Sequence, residues 1–369
     1  MTADLLPKDI FAYLSRKVLG QEDVLRQVSI SVYKHINGIK WGNILLIGNS
    51  GTGKTTIMNS LLQFYRDHQA LDQFQAMSVM NANTLVDESG EVNIYRIFKD
   101  LEAGIRNRLG AGLTPKSLKA HIENATVCLD EIDKIASKTA GRTNVAGISI
   151  QQALLTILEG ETIVLETSVL QEGRKRLVRL PIDTAKMLFV CGGAFEELYN
   201  QVYSLVISGK HGRKLKTTYV WDDAKARPER KSYFNLKDYV KIDDLFDYGM
   251  IPQFISRFSA ISVLENLRHD SLKQILLAAV DSPYLSAQTY FATFNIDLRL
   301  SEDALDAIAA QAEANTRIGA RALREVFNRI IADFQFDPHG SGQVVEKDGR
   351  QFLMLDREKL TPYLDADNA

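Results

Sequence analysis

A chain of 369 residues is longer than one simple core needs, and about two domains are expected. Its content, 45% apolar and 24% charged, is that of an ordinary globular protein, and no internal repeat, coiled coil or low-complexity tract interrupts it. With 44 Lys and Arg against 46 Asp and Glu the net charge is −2, which excludes a protein that coats nucleic acid wholesale and leaves a local basic patch open.

The first 40 residues carry helical spacing at Ile10 and Leu14 and again at Val24, Val28 and Val32, broken by Val18-Leu19-Gly20-Gln21. A short apolar turn with a glycine, placed before a nucleotide-binding core, suits Val18 and Leu19 to wall an adenine ring; an ordinary helix break is the simpler reading. That core follows at residues 43–57. Four apolar residues make a buried strand, and Gly48-Asn49-Ser50-Gly51-Thr52-Gly53-Lys54-Thr55-Thr56 then turns into a helix. This is the phosphate-binding loop G-x-x-x-x-G-K-[ST] in its strand–loop–helix setting. The glycines let backbone N–H groups point inward at phosphate oxygens, with the helix dipole behind them. Lys54 is expected at the β- and γ-phosphates and Thr55 on a magnesium ion.

After a helix to about residue 68 come a strand at 76–81 and a helix at 92–109. The run 125–134 then reads as a buried strand ending in Asp130-Glu131. Asp130 is placed to hold Mg²⁺ through water and Glu131 to polarise the attacking water. Residues 151–159 form an amphipathic helix. Two β-like arms, 162–170 and 177–180, flank a loop whose Arg174-Lys175-Arg176 is either solvated or faces a channel entrance. Another buried strand spans 186–193. Strands alternating with helices imply an α/β fold, a doubly wound parallel sheet with Gly48, Asp130 and Cys191 at its carboxyl edge.

Between residues 209 and 231 eight Lys or Arg stand against three Asp or Glu, interleaved with Tyr219 and Trp221. This surface insertion, spanning about residues 205–245, is expected to be a solvated loop; single-stranded nucleic acid or an acidic partner is the alternative. From about residue 266 helices dominate (271–280, 286–294, 302–314, 320–334), with strands at 296–300, 343–346 and 351–355. The expected domains are 1–264, a large nucleotide-binding domain, and 265–369, a smaller, mainly helical one. The two cysteines, Cys128 and Cys191, lie inside apolar runs as buried reduced thiols, and no Cys/His spacing suggests another metal site. No apolar run approaches about 18 residues and no leader pattern opens the chain, so a cytoplasmic enzyme without a membrane partner is expected.

Taken together, 18–21, 48–55, 129–134, 151–160, 188–195, 249–257 and 319–324 resemble the AAA+ ATPases, most closely the ClpX-like unfoldases of the Clp/HslU type, over nearly the whole chain. The resemblance implies a P-loop NTPase domain with a helical C-terminal lid, ATP and Mg²⁺ as cofactors, and a hexameric ring acting on a protein client. It also gives Arg257 the role of a finger on the γ-phosphate of the neighbouring subunit, and Arg321 that of a lid residue on its own nucleotide. A guanidinium suits both, because its fixed charge and forked donors match phosphoryl oxygens.

Three departures qualify the resemblance. The chain opens at the ATPase core, so an N-terminal zinc-binding domain is not expected. Residues 83–91 align with the loop that grips polypeptide in the family yet hold no aromatic residue. Residues 206–213 lack the Ile-Gly-Phe tripeptide that docks on the protease. An ATP-driven ring that remodels, unfolds or disassembles a protein without a ClpP-type protease is the resulting expectation. A motor or loader on nucleic acid through 209–231, or a nucleotide-gated scaffold, is the alternative. The residue after the fourth strand, Cys191-Gly192-Gly193, leaves the first sensor unassigned.

Overall fold

Five short, largely apolar segments pair side by side in the computed structural model, which describes residues 5–39, 42–87, 90–110, 113–139, 141–171, 174–222, 227–232, 234–279, 281–314, 319–340, 344–347 and 350–364. Numbered within this sheet in chain order, the strands are β1 Asn43–Ile47, β2 Met77–Asn81, β3 Thr126–Asp130, β4 Leu188–Gly193 and β5 Phe258–Val263, arranged β5-β1-β4-β3-β2. Every pairing is parallel. Parallel strands need crossovers that bury both faces, which is why β1 and β4 are buried at every position. The doubly wound α/β sheet expected from the alternation of strands and helices is thus what forms. Register pairs Ile47 with Gly193, Leu129 with Cys191 and Asn81 with Asp130, so Gly48, Asp130 and Gly193 meet at one carboxyl edge.

The chain divides into two compact units. The first comprises Met1–Leu14, Asp23–Gly48 and Lys54–Leu264 and holds the sheet. Its core packs Leu45, Ile47, Phe98, Leu129, Leu154, Phe189 and Phe254, all at most 1% exposed. Truncating one such leucine to alanine costs about 2–5 kcal/mol. Cys128 and Cys191 lie on adjacent strands inside this core, and burial pushes both thiols up from their ordinary range.

The helix expected over 151–159 begins earlier, at Val145, because the Asn144 side chain accepts the Gly147 N–H at 2.9 Å and caps it. A helix with no sequence expectation, Pro115–Glu123, starts at Thr114, whose hydroxyl accepts from Ser117 N with Pro115 at the first position. The cations at 174–176 belong to the returning strand, Arg174–Asp183, which pairs with Thr162–Gln171; they are not in a loop, and 172–173 lie outside the described residues.

The basic insertion is likewise not a structureless loop. Thr217–Asp222 and Arg227–Ser232 form an antiparallel ribbon, with 223–226 outside the described residues. Two of its cations are already paired. Arg213 is buried against Asp244 at 2.9 Å, and Lys216 meets Asp238 at 2.8 Å.

The second unit comprises Ser15–Glu22, Asn49–Gly53 and Glu265–Ala369. Helices His269–Ala278, Pro283–Ala292, Glu302–Ala314, Ala320–Phe336 and Arg357–Leu364 accompany a three-stranded sheet in the order Ile296–Leu300, Arg350–Leu355, Val344–Lys347. In Ala320–Phe336 the buried set Leu323, Val326, Phe327, Ile330, Ile331 and Phe334 repeats every three or four residues and makes one apolar stripe. Among the described residues no helix is long and apolar enough to cross a membrane.

Candidate nucleotide site

The phosphate loop is divided between the two units, Gly48 and Lys54 onward in the first and Asn49–Gly53 in the second. In the first unit, Gly48 N–H donates to the Gly193 carbonyl at 3.2 Å, which ties the loop's entry to the end of β4. Lys54 opens the helix Lys54–Asp67 and is 7% exposed, its Nζ donating to the Gly48 carbonyl at 2.5 Å. The ammonium thus stands at the loop's first carbonyl, where it can meet an anion placed over the loop. Thr55 donates through Oγ1 to Asp130 Oδ2 at 2.7 Å, joining the helix start to the end of β3, while Thr56 beside it is exposed.

Asp130 uses its other oxygen, Oδ1, to accept the Glu131 N–H at 2.9 Å. Glu131 itself has φ +56°, the left-handed region that a side chain seldom occupies. Strain of this kind concentrates at functional sites, and here it turns the chain sharply at the carboxyl edge. One hydroxyl and one carboxylate are the hard oxygen donors that suit a magnesium ion completed by phosphate oxygens and water, so Thr55 and Asp130 fit that ion.

Behind them β4 packs closely. A side chain at Gly192 would come within 2.9 Å of Met58 Cε, the movable end of a flexible side chain, and at ordinary contact distance from Asp130 Oδ1 (3.5 Å) and the Lys54 stem (3.7 Å). Glycine stands there where a polar sensor would be sought. Asp133, four positions into the run that opens with Leu129, is a support that sequence reasoning missed. It is 5% exposed and accepts the Ala194 N–H at 3.1 Å.

In the second unit, Gly51 and Gly53 take φ +76° and +108°, conformations that glycine adopts without penalty. Val18 is 4% exposed and lies 3.6 Å from where a Gly53 side chain would start, with Leu19 half-buried beside it. Thr52 Oγ1 donates to the Asn49 carbonyl at 2.8 Å, and Asn49 Nδ2 to Asn266 Oδ1 at 3.0 Å; Ser50 is half-buried. Gln21 is a further residue without a sequence assignment. Its Nε2 donates to the carbonyls of Thr52 (3.1 Å) and Glu265 (2.8 Å), and its Oε1 accepts the Glu265 N–H (3.0 Å). Ala320 N–H donates to the Gly51 carbonyl at 3.1 Å, and Arg321 is exposed in the first turn of that helix.

Arg257 is not brought to the loop. It precedes β5, its carbonyl accepts from Asn43 Nδ2 at 3.2 Å, and its guanidinium pairs with Glu159 at 2.7 Å. Asn43 starts the strand that Gly48 follows, and five residues of strand at about 3.3 Å each set Arg257 at the opposite edge of the sheet. Of the residues singled out in the sequence, the first unit therefore assembles Gly48, Lys54, Thr55, Asp130 and Glu131. The second gathers Val18 and Arg321 with Asn49–Gly53.

Residues 39–261 match the family model described as AAA domain (Cdc48 subfamily). The chain is 30% identical over 356 residues to the ATP-dependent Clp protease ATP-binding subunit ClpX of Treponema denticola, covering 90% of this chain and 77% of the relative. It is 29% identical over 355 residues to that of Borrelia duttonii (92% and 76%). To that of Porphyromonas gingivalis it is 28% identical over 379 residues (98% and 83%).

Proposed function

Because this chain belongs to the AAA domain family (Cdc48 subfamily) and is a ClpX-like AAA+ ATPase, we propose that it acts as a ring, hexameric in form, that remodels, unfolds or disassembles a protein target in the cytoplasm. One observation carries the reading. Lys54, Thr55, Asp130 and Glu131 gather at the carboxyl edge of the sheet, and Arg257 stands at the amino edge. A single copy thus holds a phosphate site without the arginine that would finish it, and a neighbouring copy supplies one.

Each residue then has a role. Lys54 meets the β- and γ-phosphates, Thr55 and Asp130 hold magnesium, and Glu131 takes the proton of the attacking water. Magnesium, when bound, neutralises charge on the phosphate oxygens. Gly48, Asn49, Ser50, Gly51, Thr52, Gly53 and Thr56 line the phosphates, and Val18 and Leu19 wall the base. Arg257 steadies the γ-phosphate held by the next copy. Arg321 reads the nucleotide of its own chain, so that hydrolysis changes the angle between the domains 1–264 and 265–369.

We further propose that this ring works without a ClpP-type protease, although the relatives' names couple them to one. In 83–91, Leu85 is fully buried and Val86 packs on the core, while Asp87 N–H bonds to the Glu91 carbonyl at 2.9 Å and closes the turn; 88–89 lie outside the described residues. A turn whose apolar side chains face inward has little surface with which to grip a polypeptide.

The test is the dependence of ATPase rate on protein concentration, with the Glu131→Gln form in ATP examined for ring assembly and captured client. Specific activity should rise with concentration and the trapped form should sediment as a ring. A monomer at full rate at any dilution overturns the shared site. ATP-dependent degradation of a folded tagged protein on adding a ClpP-type peptidase overturns the protease-free reading. Salt-sensitive stimulation by DNA would move the assignment to a nucleic-acid motor.

A further inference from the structure

We propose that Glu159 is a positioning residue for Arg257, holding the guanidinium in the pose from which it reaches the phosphates of a neighbouring copy. This rests on the reading of Arg257 as a finger acting in trans. Arg257 Nη2 lies 2.7 Å from Glu159 Oε1, with the two side chains 40% and 37% exposed. The pair is therefore at the surface, yet each side chain is more than half covered. A carboxylate on Nη2 leaves further guanidinium donors on the same planar fork for an incoming phosphoryl oxygen.

Stability does not account for the carboxylate. Half-exposed ion pairs contribute little to folding. Glu159 also caps the carboxyl end of the helix Val145–Leu158, where the helix dipole is already negative and a second negative charge is unfavourable. A residue set against the dipole, with its charge directed at one arginine, is explained by what that arginine does.

Both backbones are fixed. Glu159 N–H donates to the Leu155 carbonyl at 2.8 Å, and Gly160 follows at φ +86°, where a side chain would come 2.7 Å from the Ala185 methyl. Arg257 N–H donates to the Phe254 carbonyl at 3.1 Å, and its own carbonyl is held by Asn43. The helix that carries Glu159 is pinned at its middle as well. Fully buried Gln151 donates to the Ile135 carbonyl at 2.7 Å, just beyond Glu131, and accepts the Ile251 N–H at 2.8 Å, just before the turn leading to Arg257. One rigid helix thus touches the segment behind the catalytic base and, through Glu159, the arginine that the same chain lends.

The experiment mixes two chains that are each inactive alone. A Lys54→Ala chain lends Arg257 but has no working site, and an Arg257→Ala chain has a site but lends no finger. Mixed rings recover the junctions in which the first serves the second. Adding Glu159→Gln to the lending chain should lower the recovered kcat about tenfold with little change in KM for ATP, since misplacement of a positioned group acts on turnover. Glu159→Asp there should restore most of it. Placed in the receiving chain, Glu159→Gln has no finger to misplace, so that mixture should outpace the lending-chain mixture by about tenfold. Equal effects from both placements, an unchanged rate or a faster one from the lending chain would overturn the proposal. Failure of the finger reading is seen separately, as an Arg257→Ala chain that keeps its rate by itself.

Discussion

The Asn43 side chain binds the backbone carbonyl of Arg257 at 3.2 Å, and its other amide atom, Oδ1, accepts the Phe189 N–H at 3.2 Å. One buried residue thus fastens β1, β4 and the approach to β5 at the amino edge. The arginine that follows this anchor is held away from the phosphate loop of its own chain. Replacing Arg257 by alanine should leave ATP affinity close to unchanged and cut turnover by about 10³-fold, the scale of an arginine that meets a transferring phosphoryl group. Steady-state kinetics with nucleotide binding measured in parallel decides it, and an unaffected kcat would deny the role.

Lys54 is the reverse case, proposed to act on its own chain's nucleotide. Its ammonium reaches Gly48 from a buried stem, so Lys54→Ala removes a desolvated charge aimed at the loop. Loss of a charge-assisted hydrogen bond of about 1.5–3 kcal/mol should weaken ATP binding roughly 10- to 100-fold, and without an ammonium on the β- and γ-phosphates the chain should not turn over even when loaded. Titration with a fluorescent nucleotide analogue measures this, and retained affinity would mean the loop is used otherwise.

Glu131→Gln should separate binding from hydrolysis. The left-handed turn at this residue lies in the backbone, and the Asp130–Glu131 N–H bond is untouched by the change. ATP should still bind, while the rate falls by about 10²–10⁴-fold with loss of the base. Single-turnover hydrolysis checks the fall, and a pure scaffold would keep its cellular function with this variant.

Acid should loosen the first unit through His35. Burial lowers this imidazole to about 4 from an ordinary 6.5, while its Nε2 stays 3.1 Å from the Asn124 carbonyl. The depressed group is neutral in the folded protein and takes up a proton on unfolding, so stability is fully present above about pH 6.5 and declines as pH falls toward 4. From pH 7 to pH 5 this one group should remove about 2 kcal/mol. Urea unfolding at several pH values tests it, and His35→Gln should flatten the slope over that window.

Much of the site could be read directly because its signals are local. The phosphate loop lies within a dozen residues, and the Asp130-Glu131 pair ends an apolar run of strand length. Gln21 bonds to Glu265, 244 positions away, and such pairings leave no periodic trace in one sequence. Glu159 reads as an ordinary helix end until folding brings Arg257 to it. The helix Pro115–Glu123 buries only two apolar residues, Leu118 and Ile122, too few to show a 3.6-residue period. The returning arm of the basic ribbon, Arg227–Ser232, contains Pro228 and four charged residues, a composition that argues against a strand until a partner strand pairs with it.

Cys128 and Cys191 give the protein a practical property. A thiol held neutral inside the central sheet is a poor nucleophile, so both should resist alkylation for as long as that sheet stays closed. With no other cysteine in the chain, maleimide labelling becomes a gauge of sheet opening. A thiol introduced at an outward position would then be the sole fast-reacting handle for a dye or cross-linker, without first stripping the native pair.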